Sequence, residues 1–500
     1  MDRDSKLPEA VLMSVVVVPL ALMVGYLLTN PFSKLTILGV GLLVGLILLP
    51  LVLRWHHAAL VCLWNAAIVV FFLPGQPPLW AALAGVSLGV AIVTRTLRAK
   101  STFVWVPSLA YPLLLLALVV LITIAVRGIG GRALGSEMWG AKRYMSALGA
   151  IVGYFALTGA TIPRERAEMY AGLFFLSAVT SIMSDLAFAL GPSFYFLFMF
   201  FPTDVASAQF TTLDTLRRLA GVTWMAQATY WFMLLRYGIR GLVDLRHPWR
   251  PAVFVAMILV SLLGGFRSSL ILLGLLFLVQ FWFEGLLRTK LFPIVVLSGL
   301  LIGSVIVGYA ERLPLSMQRT LSFLPIQVHP SARQDAQSTL DWRLQMWRVV
   351  LRDVPQYLWL GKGYTYSGTD FLLMQESIRR GMFQSYEDTL VSGNYHNGVL
   401  TLIIPFGLPG TVAFAAFVFV GWRVLHRNYL YGPKELKRIN TFLLAYFTTR
   451  LVFYLGLYGQ FDLDLMVLTG AVGLNVSLNG GVCRPPGPKP TQAASRPVTG

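Results

Sequence analysis

Apolar runs of about 17 to 22 residues recur along nearly the whole of this chain, the length a helix needs to cross a hydrocarbon layer of about 30 Å. They can be placed at 10–29, 34–53, 58–74, 79–95, 108–126, 145–162, 168–189, 218–236, 252–266, 269–287, 291–309, 397–422, 440–457 and 463–480. The sequence therefore predicts an all-α polytopic membrane protein with about fourteen transmembrane helices. A soluble surface is excluded, because only 12% of the residues are charged where a soluble domain carries about a quarter. The net charge of +18 does not indicate nucleic acid as a partner, since the cations gather in short connections between the runs.

Those connections alternate. Arg54 with His56 and His57, Arg95 with Arg98 and Lys100, Arg164 with Arg166, Arg236 through Arg250, Arg288 with Lys290 and Arg423 through Arg438 fall on alternate turns, which reads as the cytoplasmic side. Both termini join that side. The residues MDRDSK and the run from Val11 to Leu28 lack a small-residue cleavage site and read as a retained first span. One opposite connection, from Arg127 to Arg143, breaks the rule by carrying Arg132 and Lys142 as well. Another, 310–396, is long and holds Glu311, Asp335, Asp341, Asp353, Asp370, Glu376, Glu387 and Asp388. It reads as an extracytoplasmic loop carrying amphipathic helices, and a loop of that length is the first place to look for chemistry.

The chain accordingly divides into N-terminal transmembrane helices (1–250), a catalytic membrane region (251–480) that includes the loop 310–396, and a disordered cytoplasmic tail (481–500) rich in Pro, Gly and small polar residues. Cys62 and Cys483 suggest neither a disulfide framework nor a thiolate metal site. No internal repeat is visible.

Within the loop, 338–352 has helical periodicity. Asp341, Gln345, Arg348 and Arg352 share one face, while Leu340, Trp342, Leu344, Met346, Trp347, Val350 and Leu351 cover the other. Arg343 falls at the centre of the apolar face, where a guanidinium needs a structural carboxylate, a route to solvent or an anionic ligand. Arg267, in GGFRSS between two apolar runs, must lie near the membrane surface. Its planar pair of donors suits a phosphate, either of ordinary headgroups or of a lipid-diphosphate substrate. His396, in SGNYHNGVL at the start of a span, is either a helix-start hydrogen-bonding residue or a base for a hydroxyl. All three map to one side of the membrane, as positioning a diphosphate beside a hydroxyl acceptor requires. Arg450 lies within an apolar span with Asp462 and Asp464 as available partners, which favours a structural ion pair. GKGY at Gly361–Tyr364 lacks phosphate-loop spacing and reads as a turn.

The succession FRSS, DWRLQMWRVVLRDVPQYLWLGKGY and YHNGVLTLIIPFGLPG resembles the O-antigen ligase and O-antigen polymerase superfamily of bacterial membrane glycosyltransferases, over roughly Ala252 to Gly421. The resemblance implies a GT-C-like enzyme of the bacterial inner membrane, in contact with membrane lipids and acting in lipopolysaccharide or other polysaccharide biosynthesis. It would transfer a glycan from an undecaprenyl-diphosphate-linked donor to a hydroxyl of a glycan or lipid A-core acceptor on the outer face. It implies that Arg267 and Arg343 bind the diphosphate, that His396 assists the acceptor hydroxyl, and that no metal or other cofactor takes part. The first outer connection, around Asn30 to Ser33, indeed offers no carboxylate. A lipid-glycan flippase or secondary transporter is the alternative, for which ionisable groups near the bilayer midplane and repeat symmetry are expected.

Overall fold

The computed structural model describes residues 34–73, 75–97, 103–129, 140–202, 219–364 and 395–485, with scattered positions in 14–29 and 372–379. Among these residues the chain is helical without strands, apart from one isolated bridge between Val69 and Pro78. The principal helices are α1 (Lys34–Cys62), α2 (Leu79–Leu97), α3 (Pro107–Arg127), α4 (Gly140–Leu157), α5 (Ala167–Leu176), α6 (Ile182–Leu190), α7 (Ala220–Leu242), α8 (Trp249–Ser261) and α9 (Arg267–Phe283). They continue with α10 (Leu291–Gly308), α11 (Leu315–Leu321), α12 (Pro330–Val350), α13 (Leu400–Tyr431), α14 (Lys437–Gly456) and α15 (Phe461–Asn479). Contacts divide the chain into residues 1–56 and a large unit, 57–500.

Among the described residues, six stretches are long and apolar enough to cross a membrane: Leu79–Leu97, Pro107–Arg127, Arg164–Leu190, Leu291–Gly308, Leu400–Tyr431 and Phe461–Asn479. The other expected spans fare differently. Helices α8 and α9 are apolar but shorter, while α7 and α14 carry Gln227 and Arg236, and Lys437, Arg438 and Arg450. The two spans expected at 34–53 and 58–74 are not separate helices. Helix α1 runs on to Cys62, after which Asn65 takes the chain out of helical geometry: its side chain donates to Phe174 O (2.8 Å) and its N–H to Ser177 Oγ (3.1 Å). Of the expected tail, residues 486–500 lie outside the described residues, whereas Cys483 N–H donates to Asn428 Oδ1 at 2.8 Å.

The core of the large unit forms around α15, which is buried over nearly its whole length and packs chiefly on α4. Small residues permit that approach, since a Cβ at Gly470 would meet Trp64 Nε1 at 2.3 Å and one at Gly153 would meet the same ring at 2.4 Å. Several polar groups in this core are paired. Asn428, Asn440, Asn475 and Asn479 bond to one another, and Arg450 Nη2 donates to Asp464 Oδ1 at 2.7 Å. The ion pair foreseen for Arg450 is thus present, with Asp464 as its partner. Arg450→Ala leaves a buried carboxylate without its cation and is expected to destabilise the fold by about 3–5 kcal/mol. Thermal unfolding in detergent checks this, with Arg450→Met/Asp464→Leu expected to recover much of the loss.

Helix α13 is broken near its start. Gly407 adopts φ 63°, and Pro409 has no N–H to offer the carbonyl four residues earlier. The freed carbonyls are taken up from outside the helix: Lys362 N–H donates to Ile404 O (2.8 Å) and Gly363 N–H to Pro405 O (3.0 Å), while Leu408 N–H turns to Leu358 O (2.6 Å). The stretch 358–363 is therefore stitched into the kink, where a Cβ at Gly361 would fall 2.0 Å from Pro405 O. GKGY is not a free turn but an insertion that substitutes for missing helix bonds.

Candidate active site

The site is organised by α12. Ala332, Ala336, Thr339, Arg343, Met346 and Val350 follow one another at steps of three and four, and the buried stripe of the helix runs along them. Asp341 and Arg348 are exposed, as the periodicity predicts, but so are Leu340, Leu344 and Leu351. The buried face is rotated from the expected one toward Ala336 and Thr339, and it keeps Arg343.

Two other arginines meet the first half of this stripe. Arg267 is the first residue of α9, reached through Gly265 at φ 68°, and its Nη2 donates to Ala336 O at 2.8 Å. Arg319, on α11 and almost wholly buried, donates from Nη1 to Gly265 O (2.5 Å) and from Nη2 to Thr339 Oγ1 (3.5 Å). It fastens the turn that launches Arg267 to the helix that carries Arg343.

One turn beyond Thr339, the Arg343 guanidinium lies 5.8 Å from the centre of the Tyr458 ring, and its buried Nε has no hydrogen-bond partner among the described residues. Burial pulls Arg343 below its ordinary pKa range; Tyr458 pulls the other way, and the charges of Arg267 and Arg319 add to the depression. The charges of Arg267 and Arg319 act on Arg343 as like charges do, a repulsion that an anion would relieve.

His396 also lies against Tyr458, the two rings 5.1 Å apart. Its backbone is at φ 50°, a left-handed conformation uncommon for a residue with a Cβ and one that flanking contacts must enforce. They do so from both directions. Trp347 Nε1 donates to Tyr395 O (2.7 Å), while Tyr454 Oη (2.5 Å) and Thr401 Oγ1 (2.9 Å) both donate to Gly398 O. Asn397 caps the start of α13, accepting from Leu400 N–H at its side chain (3.2 Å) and from Thr401 N–H at its carbonyl (2.9 Å). Burial first, and then the charges of Arg343 and Arg143, push the imidazole pKa down to about 3. At neutral pH the ring is therefore uncharged.

The three residues singled out in the sequence thus converge: Arg267 acts electrostatically on Arg343, Arg343 on His396, and the last two share the Tyr458 ring. Arg319 and Tyr458 were not foreseen. Nothing in the local pattern of 315–321 separates Arg319 from an ordinary loop cation, and Tyr458 is placed by Gly459, where a Cβ would lie 2.5 Å from Gly398 Cα.

An apolar groove of about 510 Å³ opens between α13 and α14. Val399, Leu402, Phe414, Trp422, Tyr454 and Leu455 are among the residues that line it.

Residues 252–415, about a third of the chain, match the family model of the O-antigen ligase. The chain carries a domain of the O-antigen ligase superfamily. No curated protein matches the chain. The match contains Arg267, Arg319, Arg343 and His396, so the O-antigen ligase domain includes the whole arginine cluster and the histidine, while Tyr458 is supplied from beyond it. The family is one of membrane glycosyltransferases of the ligase and polymerase type, in agreement with the several membrane-length helices.

Proposed function

We propose that this protein is a glycosyltransferase that moves a glycan from a polyprenyl-diphosphate donor, of the undecaprenyl type, to a hydroxyl of a glycan or lipid acceptor at the outer face of the bacterial inner membrane. The observation that carries this reading is the approach of an arginine cluster to a neutral histidine held in a left-handed backbone, with an apolar groove whose lining includes Val399, three residues beyond that histidine. The groove offers an isoprenoid tail a path within the spans, and the arginines offer its diphosphate a counter-charge.

In the transfer the acceptor oxygen forms a bond to the anomeric carbon while the bond from that carbon to the diphosphate oxygen breaks. The electron pair leaves with the diphosphate, where Arg267 and Arg343 stabilise the growing charge. The hydroxyl proton passes to a ring nitrogen of His396. Arg319 acts by holding Arg267 and α12 in register. On this reading the arginines carry the charge that a divalent cation would otherwise neutralise. Metal independence follows as part of the proposal.

Mass spectrometry of glycolipids from cells with and without the gene tests the function. Loss of the gene should leave undecaprenyl-linked full-length chains if the protein is a ligase, or single repeat units if it is a polymerase. Unchanged lipid-linked pools would remove this reading.

A further inference from the structure

The charge alternation of the sequence fails at the connection ending in Lys142 and Arg143, and the structure shows what these cations are near. Arg127 donates to Gly361 O (2.9 Å) and Leu360 O (3.2 Å), holding the inserted stretch. Arg143, in the first turn of α4, is only 5% exposed, lies 5.3 Å from the centre of the Tyr364 ring and has no carboxylate partner among the described residues.

The surroundings are unusual for a core. Tyr364 is 6% exposed and packs on Tyr144 (4.8 Å) and Phe406 (5.6 Å), yet its hydroxyl has no hydrogen-bond partner among the described residues. Asp462, 4% exposed in the first turn of α15, has an Oδ1 in the same condition, and its charge reaches Tyr364. Lys362, also buried, holds its Nζ 5.9 Å from the ring centre of Tyr395, the residue before His396. Arg143 in turn acts electrostatically on His396. A buried phenol and a buried carboxylate oxygen with hydrogen-bonding capacity unspent are costly arrangements that a polar ligand would complete.

None of these groups belongs to the elements that bring the diphosphate arginines together. Arg143 comes from α4, Lys362 and Tyr364 from the insertion in α13, and Asp462 from α15, whereas Arg267, Arg319 and Arg343 come from α9, α11 and α12. Arg143 and Asp462 also lie outside the residues matched to the O-antigen ligase family. A transfer needs two substrates at one base, and the arginines of α9 and α12 account for only one.

We propose that Arg143, Lys362, Tyr364 and Asp462 form a subsite for an anionic sugar of the acceptor, with Arg143 and Lys362 meeting a phosphate or carboxylate substituent and Tyr364 and Asp462 meeting its hydroxyls. Aromatic rings beside paired charges are a common means of gripping a charged sugar in a partly desolvated place. The proposal rests on the transferase reading given above.

The test uses the purified full-length protein, an undecaprenyl-diphosphate-linked oligosaccharide donor, and three lipid-anchored oligosaccharide acceptors that differ in one substituent: phosphate, carboxylate or none. The wild type should show a KM at least ten-fold lower for one of the charged acceptors than for the neutral one. Arg143→Gln should lose most of that preference with donor Kd within two-fold, and Arg143→Lys should restore part of it. Weakened donor binding with the acceptor preference intact would place Arg143 on the donor diphosphate and overturn the subsite. An unchanged preference in a folded Arg143→Gln protein, or a wild type that transfers without preference, overturns it too. If Arg143→Gln does not fold, Lys362→Gln puts the same question. Transfer to none of the three acceptors, together with no donor binding, would instead sink the transferase reading itself.

Discussion

Replacing His396 with alanine is expected to lower glycan transfer by about 10²- to 10⁴-fold, the range for losing a general base, while the lipid-linked donor still binds. The donor contacts assigned to Arg267 and Arg343 lie on α9 and α12 and do not depend on the imidazole. The His396 backbone is held by its neighbours, through Trp347 to Tyr395 O and Tyr454 to Gly398 O, so removal of the ring leaves the loop in place. Donor binding by native mass spectrometry and turnover by gel shift of the glycosylated acceptor separate the two effects. Near wild-type transfer by His396→Ala would return the residue to a purely structural part in starting α13.

Arg343→Gln should behave differently, because its contact with the diphosphate exists in both the bound donor and the transition state. Donor affinity and turnover should fall together, with a loss in kcat/KM on the order of 10²- to 10³-fold, as for removal of one donor to a developing oxyanion. A second signature follows from the charge. Arg343 helps to hold His396 near a pKa of about 3, so neutralising it removes a repulsion and raises the imidazole pKa. His396 is active as the neutral base, present above its pKa and lost as pH falls through it. The acid limb of the pH profile for kcat/KM should therefore move upward in Arg343→Gln. A limb that stays in place while donor binding weakens would mean that the acid limb does not report His396. Arg267→Lys, which keeps the charge and loses the planar fork, should also weaken both donor binding and turnover.

The elements that periodicity alone controls were readable in the sequence. The helix around Arg343 and the apolar lengths of α3, α10 and α13 follow from spacing and composition. The inward aim of Arg343 was also legible, since a guanidinium amid apolar positions at steps of three and four has few other places to go. What could not be read were relations between distant segments. The exposed state of Leu340 and Leu344 reflects where α9 and α11 meet α12, and no local pattern contains that information. The insertion of Gly361 and Lys362 depends on carbonyls released by Gly407 and Pro409, more than forty residues later. Two acids close together, Asp462 and Asp464, looked equivalent as partners of Arg450, and only the packing of α14 on α15 separates the paired carboxylate from the one with an unused oxygen. The signal for Arg143 is an exception to the charge alternation, and only its place beside the Tyr364 ring gives that exception a meaning.

The left-handed backbone at His396 also bears on any effort to harden this protein. A side chain with a Cβ at φ 50° costs about 1–2 kcal/mol relative to a residue that accepts that region freely. Glycine or asparagine would sit there with less strain and should raise the melting temperature. Directed evolution scored only by heat resistance would therefore drift toward those two residues at position 396 and enrich robust proteins with no base at the reaction centre. A stabilised form for structural work should be selected with turnover in the screen, or with position 396 held fixed.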